Sequence, residues 1–144
     1  MSLATAAVEK LETKLPKVID ARTHGVIDYF HAAFFFGLAW MCRKSNRRAA
    51  IASAVTGSYI LGGALLTDYP LGVVKVMPFE VHGKLDSAFA AASLMVPKVL
   101  GFEGTAASKI FKANALTEAS VVGMTDWDSE HAREEEHEPR ALAA

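Results

Sequence analysis

HGVIDY at residues 24–29 returns as HGKLDS at residues 82–87. His24 and His82, Gly25 and Gly83, and Asp28 and Asp86 each stand 58 positions apart. LLTDY at 65–69 and GMTDW at 123–127 keep the same interval, because Thr67 and Thr125, like Asp68 and Asp126, are also 58 apart. Two different motifs that share one offset without a gap mark a duplicated unit. One copy spans residues 24–69 and the other residues 82–127.

The stretches inside each copy set the fold class. Residues 24–42 are nearly all apolar after Asp28, with His31 as the polar interruption. As a helix they would be roughly 28 Å long, close to the thickness of a bilayer core. RKSNRR at 43–48 gathers four positive charges, and residues 49–66 carry none. Pro70, Gly72 and Pro78 then stop the helix and redirect the chain. A third apolar segment follows from His82, shortened or kinked by Pro97 and Lys98, and a fourth spans 106–124, with Lys109 and Lys112 near its start and Glu118 inside it. The pattern predicts membrane helices near 24–42, 49–67, 82–100 and 106–124. Small residues at intervals of four, Ala54, Ser58 and Gly62 and then Ala115, Ala119 and Gly123, suit closely packed membrane helices. The expected architecture is an all-α, four-helix transmembrane bundle of two duplicated helical hairpins over residues 23–127. A soluble four-helix oligomer burying the same faces is the alternative.

Composition sets outer limits. The chain has 144 residues, 51% of them hydrophobic, and a mean hydropathy of +0.21, a size suited to one domain. Charge gathers in residues 9–22, in 43–48 and from Asp126 onward. The net charge of −1 gives no electrostatic support to a nucleic-acid partner. A single cysteine, Cys42, excludes an internal disulfide and a cysteine-based zinc site. Residues 1–22 read as a polar, amphipathic leader broken at Pro16, without a cleavable-signal pattern. Residues 128–144 read as an acidic, disordered tail in which His131 and His137 are solvated.

If each copy is an antiparallel hairpin, the start of its first helix lies beside the end of its second. His24, Asp28, Asp68, His82, Asp86 and Asp126 then meet at one end of the bundle as a polar cluster. Positions i and i+4 share a helix face, so each aspartate can hold its own histidine. Three uses are open to such a cluster: capping and cross-linking of the two repeats, a divalent metal or bis-histidine haem site, and a proton or cation pathway. Zn, Fe or Mn would accept these ligands, although residues 24–127 contain no Glu-x-x-His or His-x-x-x-His pair. His24 and His31 lie two turns apart, too far to share one ion. Glu118 stands alone as an intramembrane acid; its counterpart in the first repeat is Ile60. FFFGLAW reads as lipid-facing and packing surface, and Tyr29, Trp40, Tyr69 and Trp127 as interfacial aromatics at helix ends.

The order His-x-x-x-Asp-Tyr, apolar helix, small-rich helix, Leu-Leu-Thr-Asp-Tyr-x-Leu-Gly, Pro, His-x-x-x-Asp, Pro and Gly-Phe resembles the SPW-repeat type of small bacterial integral membrane protein. The residues that carry the resemblance are His24, Asp28, Tyr29, Thr67, Asp68, Tyr69, Leu71, Gly72, Pro78, His82, Asp86, Pro97, Gly101 and Phe102. They fall within about residues 20–127. The Ser-Pro-Trp tripeptide itself is absent: the first copy has GLAWMC and the second, VPKVLGF, keeps only the proline. The resemblance implies two transmembrane helices per repeat in a bacterial cytoplasmic membrane and brings no reaction with it.

The chain shows no nucleophile–base pair, phosphate loop or dinucleotide fingerprint. The expectation is a non-enzymatic scaffold or accessory subunit without an obligatory cofactor, partnered by the bilayer and by other membrane subunits or further copies of itself. The basic turn at 43–48 would face the cytoplasm, leaving both termini and the polar cluster outside.

Overall fold

The computed structural model describes residues 15–129. Asp20 starts the first helix, α1 (Ala21–Cys42), by accepting a hydrogen bond from the Thr23 amide at 2.7 Å. The side chain of Asp20 thereby satisfies one of the amides that the first turn leaves without a partner. Asn46 does the same for α2 (Arg47–Leu66) through the Ala49 amide. A short segment, β1 (Thr67–Asp68), pairs in parallel with β2 (Met77–Pro78). Next come α3 (Phe79–Ser93), the single-turn α4 (Val96–Val99), and α5 (Ala106–Met124), which Thr105 caps through the Ser108 amide. The described residues are mostly helical, and the protein is all-α.

The third apolar segment is not one helix over 82–100. It stops at Ser93, turns through Leu94 and Met95, and restarts as α4. Pro97 has no amide hydrogen, so it fits the first turn of a new helix and not the interior of an old one. The end of α4 has a Schellman geometry: the Phe102 amide donates to the Pro97 carbonyl and the Gly101 amide to the Lys98 carbonyl. Gly101 sits at φ +69°, where a side chain would be strained.

The two hairpins, α1–α2 and α3–α5, interlock. Val18 and Ile19, just before α1, donate to the Met124 carbonyl at the end of α5, and Ile19 bridges Thr125. The equivalent residues of the second copy repeat this in reverse: the Val76 amide donates to the Leu66 carbonyl and Met77 pairs with Thr67. All of these pairs are related by the 58-residue offset. Each hairpin's entry segment is therefore held by the other hairpin's exit, and residues 18–22 belong to the fold, not to a leader. The rest of the expected leader, before residue 15, and the tail beyond 129, with His131 and His137, lie outside the described residues.

The main core contains Phe35, Leu38, Ile60, Phe102 and Phe111 with alanines between them. It departs from symmetry in a compensating way. Phe35 and Phe111 pack edge-to-face at 5.3 Å, while their counterparts in the other copy are Ser93 and Ser53, both fully buried. Four phenylalanines at related positions would overfill the centre, and each large residue is offset by a small one. The small stripe Ala115, Ala119 and Gly123 is buried, whereas Ala54 and Gly62 are half-buried and Ser58 is exposed. The residues 58 positions before the α5 stripe are Gly57, Leu61 and Leu65. Of these, Gly57 is the close-approach position, facing the Ala32 carbonyl of α1.

The outer surface is unusually apolar. Phe30, Trp40, Met41, Val55 and Leu116 are each more than 60% exposed. The helices α1 and α2 are long and apolar enough to cross a membrane. Arg48 donates to the Gly101 carbonyl across the hairpin tips, so the basic turn at 43–48 and the start of α5 share one end. The His-Gly-x-x-Asp motifs lie at the opposite end.

Candidate metal centre

His24 and Asp28 occupy the first two turns of α1, and His82 and Asp86 the first two turns of α3. All four are buried, with His24 at 1% exposure and His82 at 3%. The interlocked ends bring the two motifs face to face. His24 Nε2 lies 3.4 Å from Asp28 Oδ1 and 3.2 Å from Asp86 Oδ2. His82 Nε2 lies 3.3 Å from Asp28 Oδ2 and 2.9 Å from Asp86 Oδ2. Each histidine thus faces the aspartate of its own helix and that of the other repeat.

The far nitrogens are held by threonine. His24 Nδ1 is 2.9 Å from Thr125 Oγ1, and His82 Nδ1 is 2.7 Å from Thr67 Oγ1. Both hydroxyl protons are committed elsewhere: Thr125 donates to the Val121 carbonyl and Thr67 to the Gly63 carbonyl, each at 2.7 Å. A hydroxyl has one proton to donate, so each Nδ1 must carry the hydrogen and donate it to threonine. In neutral histidine this leaves Nε2 as a bare lone pair aimed toward carboxylates. Such a buried arrangement of acceptors needs a positive charge among them, either a proton on Nε2 or a cation. His82 Nε2 makes no well-aligned hydrogen bond, despite its short distances to both aspartates.

Aromatic rings cover the site on one side, and a cleft between α2 and α3 reaches His82 and Asp86 on another. Tyr69 is fully buried and donates to Asp28 Oδ2 at 3.1 Å. Burial and the neighbouring Asp28 charge push its hydroxyl well above the ordinary tyrosine range, so it stays protonated and keeps donating. Phe79 and Trp127 pack against His24, with ring centres 5.5 and 5.0 Å away. The motif glycines make room for these rings. A Cβ on Gly25 would lie 2.9 Å from the Tyr69 ring, and one on Gly83 would lie 2.9 Å from the Trp127 ring.

The four side chains form a His2Asp2 set whose ligand atoms all lie within 4.8 Å of one another. Nitrogen and oxygen donors at about 2.0–2.2 Å from a tetrahedral ion are about 3.3–3.6 Å apart, and shorter spacings suit octahedral sites. The four inter-repeat and intra-helix spacings fall in this region. Imidazole with carboxylate suits Zn(II), Fe(II) or Mn(II). Haem fits less well: both Nε2 atoms already face the same two carboxylates, which stand where a porphyrin plane would pass.

The sequence-derived cluster of six is thus four. Asp68 is exposed and pairs with Lys75 at 3.6 Å. Asp126 belongs to a turn, where its amide donates to the Ile19 carbonyl and its carboxylate accepts from the Asp128 amide. In each Thr-Asp pair it is the threonine that reaches the site. β1 extends the backbone there, so adjacent side chains point to opposite faces. Tyr69 is also a residue of the site and not an interfacial anchor. Trp40 is exposed beneath the Arg43 guanidinium, and Tyr29 donates to the Leu71 carbonyl.

Glu118 is buried deeper in the bundle, with His31 Nδ1 at 3.2 Å, and His31 Nε2 is 2.5 Å from Asn114 Oδ1. Lys112, on the same helix as Glu118, pairs with Glu103 at 3.1 Å. His31 and Glu118 face each other across the α1–α5 contact, a pairing that no local spacing reveals. Comparison of the chain with protein-family models, curated proteins and solved structures finds no match.

Proposed function

We propose that this is a small integral membrane protein in which a divalent transition-metal ion joins the two repeats. The observation that carries the reading is the pair of threonine-anchored histidines, whose Nε2 atoms converge with two carboxylates in a buried site. A ligating histidine characteristically donates its other ring N–H to an oxygen, which fixes its tautomer. Four protein ligands complete the coordination sphere of a tetrahedral ion, the form of a structural centre, and His82 and Asp86 also line a cleft between α2 and α3. The ion would cross-link the hairpins in a non-enzymatic scaffold or accessory subunit.

The membrane reading is supported by the exposed apolar side chains along the helices and by the length of α1 and α2. It extends to a four-helix bundle in the bacterial cytoplasmic membrane, consistent with the SPW-repeat resemblance. Arg43, Lys44, Arg47, Arg48, Lys98, Lys109 and Lys112 lie at or near the hairpin tips, which supports an orientation with that end in the cytoplasm and the metal centre near the outer face. A transmembrane proton or cation path is less well supported, because Phe35, Leu38, Phe102 and Phe111 form an apolar layer between Glu118 and the basic end.

Elemental analysis of the detergent-purified full chain tests the metal reading. About one Zn, Fe or Mn per chain is expected, with loss of the ion in His82→Ala. A wild-type protein that neither retains nor takes up any of these ions would overturn it. Membrane fractionation tests the location: recovery in the soluble fraction without detergent would favour the soluble oligomer.

A further inference from the structure

Duplication supplies a comparison inside the molecule. The contact between α1 and α5 and the contact between α2 and α3 are related by the 58-residue offset, and each carries a cleft. The α2–α3 cleft has a volume of about 270 Å³, with Ile60 in its wall and Tyr59 and Phe89 packed together at 5.2 Å. The α1–α5 cleft is about 570 Å³. Where the first has Phe89 and Ile60, the second has His31 and Glu118. The scaffold therefore does not require polar groups at these positions, and the side that has them also has the larger opening.

The walls of the larger cleft are apolar. Val26, Phe30 and Phe34 line it from α1, and Phe30 is 75% exposed. At its base lie His31, Asn114 and Glu118. His31 engages both Glu118 and Asn114 Oδ1, but Asn114 Nδ2 has no partner although the residue is only 7% exposed. A buried amide donor without an acceptor carries a desolvation cost that an arriving oxygen would relieve. A small-molecule site of this kind combines apolar walls with a few placed polar groups.

We propose that the α1–α5 cleft binds a lipid-soluble quinone-type molecule, with a carbonyl oxygen accepting from Asn114 Nδ2 and the ring against Phe30 and Phe34. Aromatic rings on one helix face at i and i+4 offer a flat body stacking surfaces, and a carbonyl supplies the acceptor that the amide lacks. The site is separate from the metal centre and does not depend on it.

The test uses the full wild-type chain in detergent, ubiquinone-1 as the probe, and equilibrium dialysis. Saturable binding of one probe per chain is expected, at least tenfold tighter than that of a ring-matched methylbenzene without carbonyls. Asn114→Leu should weaken ubiquinone-1 binding tenfold or more with helicity retained. Phe30→Ala, which alters the exposed mouth and not the core, should weaken it several-fold. Non-saturable partition, equal affinity for the carbonyl-free ring, or unchanged binding in a folded Asn114→Leu would overturn the proposal in favour of simple filling by detergent or lipid chains. Metal content, measured on the same samples, should be unchanged, so failure here is distinguishable from failure of the metal reading.

Discussion

Thr67 lies in the first repeat and His82 in the second, yet Thr67 Oγ1 and His82 Nδ1 are 2.7 Å apart. The related pair, Thr125 and His24, crosses in the opposite direction at 2.9 Å. Each repeat therefore orients the other's histidine, and neither hairpin alone contains a complete site. This dependence explains why both halves of the motif keep one offset.

Thr67→Val and Thr125→Val remove the hydroxyl with little change in shape. Each should leave an imidazole free to rotate and to change tautomer. Loss of such an orienting partner typically costs 10- to 100-fold in metal affinity. Competition with a coloured chelator measures this, and the two variants should behave alike. A wild-type affinity in both would show that the threonines only terminate their helices.

Tyr69→Phe should lower stability by about 1–3 kcal/mol, because Asp28 Oδ2 loses a donor in a buried setting. Trp127, its counterpart, has no hydroxyl to offer Asp86; its indole N–H donates to the Val122 carbonyl instead. Trp127→Phe should therefore cost less than the loss of a carboxylate partner implies. Thermal unfolding in one detergent ranks the pair.

Gly25→Ala and Gly83→Ala test the same asymmetry by volume. Both new methyl groups would lie 2.9 Å from an aromatic ring. Tyr69 is fully buried and tied to Asp28, whereas Trp127 is only partly buried and has room to shift. Overpacking costs about 1–3 kcal/mol when neighbours cannot move. Gly25→Ala is expected to show the larger drop in unfolding midpoint, and a larger drop in Gly83→Ala would contradict the account.

The offset makes the helical hairpins and the meeting of His24, Asp28, His82 and Asp86 legible in the sequence. Periodic apolar runs and exact spacing are local or directly repeated, so they survive in one dimension. What was not legible depended on direction. Thr67 and Asp68 are adjacent in sequence, and only the extended backbone of β1 decides that the threonine faces inward. The choice of Ala54, Ser58 and Gly62 as a packing stripe was only partly right for a similar reason: Ala54 and Gly62 are half-buried and Ser58 is exposed. Its spacing matched a helix, but its distance from the α5 stripe departs from the 58-residue interval, so the two stripes lie on different faces. The His31–Glu118 contact joins helices far apart in the chain and has no counterpart in the other repeat to betray it.

That missing counterpart leads to the last prediction. His31 and Glu118 form a buried pair at 3.2 Å, while the symmetry-related positions hold Phe89 and Ile60. Replacing one partner leaves the other buried without its match, a loss of about 3–5 kcal/mol for a buried ion pair. Replacing both by well-packed apolar residues is often neutral or stabilising. Glu118→Ile and His31→Phe should therefore each destabilise strongly, the latter also because Asn114 Oδ1 loses the imidazole it faces. The double variant His31→Phe with Glu118→Ile copies the other repeat and should recover most of the loss. A double-mutant cycle in thermal or chemical unfolding reads the coupling directly. Additive losses would mean that the two side chains are stabilised separately by their surroundings. Recovery of stability together with loss of ubiquinone-1 binding would show that the pair is kept for the cleft and not for the fold.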